Sequence, residues 1–258
     1  MSKQIADTAR QFSRQAEAYA NSPSHAQGAD LAVVAEFAAA TAGDLCLDVA
    51  TGPGHTAFRI AAEASFAIGA DLAPGMVVTA RRLAEERGIA NTAFLLADVH
   101  GLPFADSSFD LVTCRIAPHH FADIDAAFRE VARVLRPGGR FVVEDSLAPD
   151  DVEEAEFLEW LEKRRDPTHV HSLTRGEWMA VMRGADLEVT RETVHGKHHD
   201  FELWIRRTGL DEAAIAAISD DILAAPEQLR RRLFDIEGSR VTVLHDRKLI
   251  LRAEKAAH

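Results

Sequence analysis

The segment with the clearest chemical potential is a glycine-rich turn that separates a short apolar run from a helix-like stretch. Residues 45–57 read LCLDVATGPGHTA, with Gly52 and Gly54 in the turn and Asp48 four positions before Gly52. Gly52, Gly54 and Ala57 fit the G-x-G-x-x-G/A fingerprint of dinucleotide-binding turns, in which glycines allow tight backbone geometry and close approach of a ligand. The turn therefore predicts a site for a nucleotide-like cofactor.

Two carboxylates narrow the choice of cofactor. Asp71 follows Gly52 by 19 residues, where an acid that binds ribose hydroxyls belongs. Asp48 stands at the mouth of the preceding strand, where its charge would repel a pyrophosphate and attract an ammonium or sulfonium group. Each acid also has a structural alternative. Asp48 could accept backbone N–H groups of the turn, and Asp71 could cap the turn that follows it.

Strands and helices alternate around this turn. After a helical opening, the apolar runs are 45–49, 66–70, 93–97, 109–114 and 140–144, and helix-length amphipathic stretches lie at 56–64, 75–87 and 122–135. Hydrophobicity that is continuous rather than alternating indicates strands buried on both faces, which is typical of parallel sheets covered by helices. The pattern predicts an α/β fold with a doubly wound, mostly parallel sheet.

Beyond residue 146 the pattern is mainly helical. Charged helical stretches are predicted at 151–165 and 175–184, the second with Thr174 and Glu177 as a capping box. A strand is predicted at 187–194 and a long helical region at 211–233. A last pair of strands is predicted at 240–245 and 248–252, turned at Asp246-Arg247.

The turn and four further segments together resemble the class I S-adenosylmethionine-dependent methyltransferases. The further segments are 68–71, 95–99, 102–112 and 130–139, and the ordered set is similar to the ubiquinone/menaquinone-biosynthesis C-methyltransferase-like branch. The opening, 12–19, resembles the N-terminal lid of that branch. One position departs from the family: Ala50 stands where glycine is usual, so its methyl group would narrow the approach to the methionine part of the cofactor.

The resemblance implies a seven-stranded Rossmann-like sheet with an N-terminal helical lid, a C-terminal helical cap insertion, and S-adenosyl-L-methionine as cofactor. It assigns Asp71 to the ribose hydroxyls and Asp98 to the adenine amino group, with turn capping as the alternative for Asp98 too. Tyr19, the only tyrosine, would reach the cofactor from the lid. The remaining positions implied around the cofactor are Asp48, Ala50, Gly52, Gly54, Leu72, Met76, Val99 and Arg115.

The implied organisation has four parts. Residues 1–30 form the lid and residues 31–146 the cofactor-binding core. Residues 147–239 form a substrate cap with helices and the sixth strand, and residues 240–258 form the last strand or strands and the tail.

Three histidines are the candidate catalytic groups. His119 and His120 follow the fourth strand, at the sheet edge where ligands of open α/β sheets bind. An imidazole could take a proton from a hydroxyl or a carbon acid there, although both histidines could instead start the next helix or bind loop carbonyls. His169 is the third candidate, with a plain turn at Asp166-Pro167 as the alternative.

Arg115 and two side-chain clusters are further candidates. Arg115 could bind an anionic substrate group, but an ion pair with Asp110 or Asp123 is favoured. The histidine-rich segment 195–200 lacks metal-ligand spacing, so no metal site is predicted. Four aromatic residues could wall a substrate pocket, but at helical spacing such residues more often form core. They are Phe157, Trp160, Trp178 and Trp204.

The overall charge limits the partners. With 41 acidic and 29 basic residues the formal charge is −12, which disfavours broad binding to nucleic acid or anionic lipid. The longest stretch without a charged residue is 12 residues, at 18–29, so no membrane insertion is predicted. Cys46 and Cys114 lie in apolar runs, and the N-terminus lacks an apolar signal core, which together favour the cytoplasm.

These observations predict an enzyme that transfers a methyl group in line from S-adenosylmethionine to a small-molecule acceptor, with help from a histidine base left open. One rival is an NAD-dependent oxidoreductase, which Gly52, Gly54 and Asp71 allow and Asp48 opposes. The other is a non-catalytic S-adenosylmethionine-binding protein. The acceptor atom and a possible homodimer stay open.

Overall fold

The structure is a computed structural model that describes residues 3–256. The strands in that range are β1 (Leu45–Val49), β2 (Phe66–Asp71), β3 (Thr92–Leu96), β4 (Phe109–Arg115), β5 (Leu135–Ser146), β6 (Leu187–Asp200), β7 (Phe234–Glu237) and β8 (Arg240–Lys255). The helices before β5 are α1 (Lys3–Ala20), α2 (Pro23–Ala26), α3 (Ala29–Ala38), α4 (His55–Ala61), α5 (Pro74–Glu86) and α6 (Ile124–Val134). The later helices are α7 (Val152–Arg165), α8 (Arg175–Gly184), α9 (Phe201–Arg206), α10 (Glu212–Ala224) and α11 (Glu227–Leu233).

One sheet organises these elements. Its main path runs β3-β2-β1-β4-β5-β8-β6, and β7 pairs with β8 beside that path. Strands β1 to β5 are parallel, whereas β8 is antiparallel to β5 and β6 is antiparallel to β8. The predicted seven-stranded, mostly parallel α/β sheet is confirmed. The short β7 was not predicted.

The central strands are buried on both faces, as their continuous hydrophobicity indicates. Cys46 and Leu111 pack with α3 and α4 on one face. Leu47 and Val112 pack with α6 and α8 on the other. Cys46 is a free thiol, as is the equally buried Cys114. Burial of a large aliphatic side chain stabilises a fold by roughly 1.5–3 kcal/mol, so these two layers stabilise the sheet from both faces.

The C-terminal part departs from the predicted pattern in two places. The helical region 211–233 is two helices, because Pro226 has no N–H to continue α10 and instead precedes α11. The predicted turn at Asp246-Arg247 is wrong: β8 runs unbroken through it. Asp246 is a buried partner of Lys248 at 2.6 Å, so the charges that suggested a solvent-exposed turn face inward from a strand.

Helix α9 and the extension of β6 from 194 to Asp200 were also not predicted. The capping box is confirmed, since Thr174 and Glu177 exchange side-chain and backbone hydrogen bonds at the start of α8. The four aromatic candidates lie in hydrophobic clusters: Trp178 in the main core, and Phe157, Trp160 and Trp204 with the C-terminal helices.

Ala50 carries local backbone strain. Its φ is +51°, a left-handed conformation that costs a residue with a Cβ roughly 1–2 kcal/mol and costs glycine almost nothing. We therefore expect Ala50→Gly to raise the free energy of unfolding by about 0.5–1 kcal/mol in urea titrations. Ala62→Gly is the matched control. Because Ala62 has an ordinary helical φ of −63°, this substitution should lower the free energy of unfolding by about 0.5–1 kcal/mol. Equal losses at both positions would contradict the assignment of strain to Ala50.

Candidate active site

A cavity opens at the carboxyl ends of β1 to β4, under helix α1. The glycine turn, the ends of β2 and β3, and α1 all contribute to its wall. Of the predicted cofactor residues, all but Gly54 line it: Tyr19, Asp48, Ala50, Gly52, Asp71, Leu72, Met76, Asp98, Val99 and Arg115. We call it the cofactor cavity. The topology therefore brings together residues that are up to 96 positions apart (19 to 115) in the sequence.

The two glycines of the turn have different roles. Gly52 has a φ of +54°, and a Cβ added there would meet no atom within 4 Å, so the chain presents a bare backbone edge to the cavity. Gly54 has a φ of +90°, and an added Cβ would lie 2.9 Å from Cζ of Phe58 and 3.0 Å from Cε1 of Phe94. Gly54 is therefore needed for packing under the start of α4 and is not part of the cavity wall, so its role in binding the cofactor stays a prediction.

Asp48 is fully buried below the turn. Its two carboxylate oxygens accept hydrogen bonds from the hydroxyls of Thr51 (2.5 Å) and Thr113 (2.7 Å). Burial raises its pKa to about 6, and the two hydroxyls offset part of that rise. The carboxylate thus braces the turn mainly through side-chain hydroxyls rather than through the backbone N–H groups of the structural alternative, and it also lines the cavity.

Asp71 ties the ends of β1 and β2 together. It accepts hydrogen bonds from the backbone N–H groups of Gly52 and Ala73, each at 2.8 Å. Burial raises its pKa to about 6, opposed by these two N–H donors. Asp98, at the end of β3, instead has its pKa lowered, because His100 donates to it from the ring at 2.6 Å and from the backbone at 3.0 Å. Three carboxyl groups therefore border one cavity.

Arg115 is bound in a way that the sequence did not predict. Its guanidinium pairs with Asp30 at 2.5 Å and also donates to the His25 carbonyl and, at 3.1 Å, to the Thr56 hydroxyl. The predicted partners, Asp110 and Asp123, are wrong, because Asp110 pairs with Arg136 and Asp123 caps α6. Asp30 was missed because it lies 85 residues from Arg115 in the sequence.

No other lysine or arginine within residues 3–256 lines the cofactor cavity. A pyrophosphate would therefore meet three carboxyl groups and one arginine that is already paired. This arrangement opposes the dinucleotide alternative on electrostatic grounds.

Helix α1 covers the cavity and is held on two sides. On one side the Ser13 hydroxyl accepts from the Gly75 N–H at 3.3 Å, and Glu17 pairs with Arg82. On the other side Gln4 donates to the Thr168 carbonyl at 2.9 Å, and Gln11 donates to Asp166 at 2.8 Å. Phe12 and Tyr19 project from it into the cavity wall, as the resemblance implied for Tyr19.

His119 forms a dyad with a buried aspartate. Asp145, at the end of β5, accepts from the His119 ring Nδ1 at 2.6 Å and from its backbone N–H at 2.7 Å. Burial alone would lower the pKa of His119, but the charge and hydrogen bond of Asp145 outweigh it and raise that pKa. The same contact lowers the pKa of Asp145 despite its burial. With Nδ1 occupied, His119 Nε2 is the nitrogen left to exchange a proton.

His120 and His169 have less suitable surroundings for proton transfer. His120 lines the cofactor cavity, but burial and the adjacent His119 lower its pKa, and its Nδ1 donates to the Thr168 carbonyl at 3.1 Å. His169 lies behind His119, with ring centroids 5.5 Å apart, and its Nε2 contacts Glu159 at 3.2 Å. His169 does not line the cofactor cavity, and its catalytic role stays a prediction.

A second, polar cavity adjoins the cofactor cavity. Five residues line both: Phe12, Tyr19, His25, Ile116 and His120. We call it the polar cavity. Its remaining wall carries His119, four cationic side chains and three carboxylates, which come from β6, β8, α7 and the residues that directly follow α7 and α9. They are Arg165, Lys197, Arg207, Lys248, Glu162, Asp166 and Asp246. These cations carry no local sequence signal as a site, because they come from separate parts of the cap and from the last strand.

The histidine-rich segment belongs to this region. It is the end of β6, where alternate side chains point to opposite faces, so Lys197 and His199 line the polar cavity while His198 contacts His245 on the other face. Within the described range, no group of three or more His, Cys, Asp or Glu side chains is placed to hold a metal ion.

Glu144 is buried with neither carboxyl oxygen accepting a hydrogen bond. Burial and the neighbouring Asp30 raise its pKa to about 8, so it is protonated at neutral pH and can donate to Asp30. Because the folded chain holds a proton that the unfolded chain releases above pH 4.5, Glu144 makes the free energy of unfolding fall as pH rises from about 4.5 to about 8.

We expect Glu144→Gln to remove this part of the pH dependence. The difference in free energy of unfolding, variant minus wild type, should rise by on the order of 1 kcal/mol or more from pH 5 to pH 8. Urea unfolding of both proteins at both pH values measures it. Glu63→Gln, at an exposed position, is the matched control. A constant difference between Glu144→Gln and wild type across this pH range would show that Glu144 is ionised throughout it.

Comparison with known proteins fits this geometry. Residues 47–143 match the family described as a methyltransferase domain. The chain is 38% identical over 198 residues to YcgJ, an uncharacterized methyltransferase of Bacillus subtilis, a match that covers 77% of this chain and 78% of that protein. This chain belongs to the class I S-adenosylmethionine-dependent methyltransferases.

Two further relatives of this methyltransferase agree. The crystal structure of a putative methyltransferase from Bacillus halodurans superposes with a TM-score of 0.86 at 30% identity, covering 89% of this chain and all (100%) of that one. The ubiquinone/menaquinone biosynthesis C-methyltransferase UbiE of Bartonella tribocorum is 30% identical over 184 residues, 69% of this chain and 68% of that protein. The predicted family is confirmed.

S-adenosylmethionine is the cofactor of this methyltransferase, and the cavity suits it. The bare edge at Gly52 admits a ligand against the backbone, and Asp48, Asp71 and Asp98 supply negative charge and hydrogen-bond acceptors without a free cation that would call for phosphate. Among the helices of residues 3–256, none is long and apolar enough to cross a membrane.

Proposed function

We propose that the methyltransferase acts on a small, partly apolar acceptor that binds in the polar cavity, and that His119 serves as general base. The observation that carries this proposal is the His119–Asp145 dyad. It lies in the wall of the polar cavity, one residue from His120, which lines both cavities. An acceptor there would lie between a proton acceptor and the cofactor cavity.

The cofactor supplies a methyl group that is already activated by a sulfonium. The chain therefore needs chiefly to align the acceptor and exclude water. His119 Nε2 takes the proton that the acceptor loses, and Asp145 holds the ring in the required tautomer and stabilises the resulting imidazolium. Phe12 and Tyr19 of α1 close the space from above.

We propose a matching division of labour along the chain. Residues 1–30 would act as the lid, residues 31–146 as the cofactor-binding core, residues 147–239 as the cap over the acceptor, and residues 240–258 as the last strand and tail. Contacts of Gln4 and Gln11 with Thr168 and Asp166 support closure of the lid on the cap. Within the core, Asp48 and Asp71 contribute to binding of the cofactor, Asp71 at its ribose hydroxyls. Asp98 binds the adenine amino group of the cofactor.

Two proposals concern the surroundings of the enzyme. The net charge of −12 supports an acceptor other than nucleic acid. The two buried free thiols, Cys46 and Cys114, support a cytoplasmic location.

Turnover of S-adenosylmethionine tests the proposal. The purified enzyme would be incubated with the cofactor and a panel of small phenols, enols, thiols and amines, and formation of S-adenosylhomocysteine would be measured. We expect turnover with an acceptor whose nucleophile carries a proton, and slower turnover in Asp145→Asn. Tight cofactor binding with no methyl consumption across the panel would favour a non-catalytic binding protein instead.

A further inference from the structure

The cations of the polar cavity fall into two groups. Arg165 pairs with Glu162 at 2.8 Å, and Lys248 pairs with Asp246 at 2.6 Å. Lys197 and Arg207 are half-buried in the same wall, yet among the described residues neither has a carboxylate oxygen within 4.0 Å. Two desolvated cations without a direct counter-charge are costly to a fold. An anionic ligand bound between them would offset that cost.

The carboxyl groups nearest to Lys197 are already engaged. Asp246, its cross-strand neighbour, holds Lys248 and also His199 at 3.5 Å. Asp30 is paired with Arg115 at 2.5 Å, and Glu144 is the protonated group described above. Burial lowers the pKa of Lys197, because the attraction of Asp30 does not make up for lost solvent and for the repulsion of Lys248.

Arg207 is in the same position on the other side of the cavity. It follows α9 and shares the cavity wall with Tyr19 and Arg165. Burial lowers its pKa and Arg165 repels it, and the attraction of Glu162, which already pairs with Arg165, does not offset these effects. The third carboxylate of the wall, Asp166, accepts from Gln11 and Thr168, so no acidic group in the wall is left for Arg207.

We propose that the methyl acceptor carries an oxyanionic group, a carboxylate or a phosphate monoester, that binds between Lys197 and Arg207 in the polar cavity. This inference rests on the proposed function, since it names the charge of the acceptor for that site. Lys197, Arg207 and His119 line the same cavity, and His119 is the base of the His119–Asp145 dyad. An anion held by the two cations would therefore leave the rest of the acceptor to extend toward the base and the cofactor cavity. The subsite selects anionic acceptors even though the whole chain carries a net negative charge.

Matched pairs of small probes test the subsite. Isothermal titration would compare 4-hydroxybenzoate with 4-hydroxybenzamide and phenyl phosphate with phenol, on the enzyme with and without S-adenosylhomocysteine. We expect the anionic member of at least one pair to bind tenfold or more tighter than its neutral counterpart, and the pair that discriminates identifies the anion as carboxylate or phosphate.

Charge variants assign the effect to the two side chains. Lys197→Met and Arg207→Met should each reduce the preference for the anionic probe at least threefold. Lys197→Arg and Arg207→Lys should retain part of that preference. Arg231→Met, which removes an exposed arginine outside the cavity wall, should leave it unchanged. Affinity for S-adenosylhomocysteine, measured on each variant, reports intact folding.

Three results would overturn the proposal: equal binding of neutral and anionic probes, binding of neither, or a preference that survives both Met variants. Failure of the wild type to bind S-adenosylhomocysteine would instead contradict the proposed function, and the titrations without that ligand would still decide whether the subsite selects anions.

Discussion

Replacement of His119 by glutamine is expected to lower kcat by about 10²- to 10⁴-fold, the usual contribution of a general base. The base form of His119 must be unprotonated, and Asp145 raises its pKa above the ordinary 6.5. The rate of the wild type should therefore fall as pH drops through a value above 6.5. The pH dependence of kcat with the acceptor found in the panel measures both effects.

The neighbouring groups supply the controls for this prediction. Asp145→Asn removes the charge that raises the pKa of His119, so its acidic limb should move to lower pH while kcat also falls. His120→Gln should keep the limb, because burial already holds the pKa of His120 low. An acidic limb that stays in place in both His119→Ala and His120→Ala would rule out a histidine base.

The Gly75→Ala variant is expected to weaken binding of S-adenosylmethionine by about tenfold or more without unfolding the core. A Cβ at residue 75 would lie 2.4 Å from the carbonyl oxygen of Ser13 and 2.8 Å from its Cα, which is backbone that can yield only if helix α1 moves as a whole. Because α1 carries Phe12 and Tyr19 into the cavity wall, its displacement opens the cofactor cavity. Titration calorimetry measures the affinity, and a thermal melt measures the stability.

Gly176→Ala is the matched control for the lid. Gly176 lies in α8, and a Cβ there would meet nothing within 4 Å, so the same substitution should leave cofactor affinity unchanged. If Gly75→Ala bound the cofactor as tightly as wild type, α1 would not act as a lid over the site.

The parallel half of the fold could be predicted from sequence because its signal is local. Each of strands β1 to β4 is one short apolar run, and Pro74 and Gly88 mark the ends of the helix between β2 and β3. The antiparallel half could not be predicted as well, because its charged residues face a cavity. Asp246 and Lys248 interrupt an apolar pattern and so suggested a turn, whereas in the structure they are an ion pair within β8.

The cofactor cavity and the polar cavity also differ in how far their residues could be predicted from the sequence. Asp48, Asp71 and Asp98 each follow or end a strand, so the rule that ligands bind at the carboxyl edge placed them correctly. That rule also applies to Asp145 at the end of β5, and it was a signal that could have been used. Lys197 and Arg207 offered no such signal, since only the packing of α9 against β6 brings them into one cavity wall.

Titration calorimetry of wild type and Asp71→Ala with S-adenosylhomocysteine tests the central claim most directly, with NADH as the competing ligand. Asp71 lines the cofactor cavity and accepts hydrogen bonds from the N–H groups of Gly52 and Ala73. We expect the wild type to bind S-adenosylhomocysteine and Asp71→Ala to bind it at least tenfold more weakly while remaining folded in a thermal melt. Neither protein should bind NADH. No affinity for S-adenosylhomocysteine in the wild type, an affinity unchanged in Asp71→Ala, or binding of NADH in its place would contradict the account.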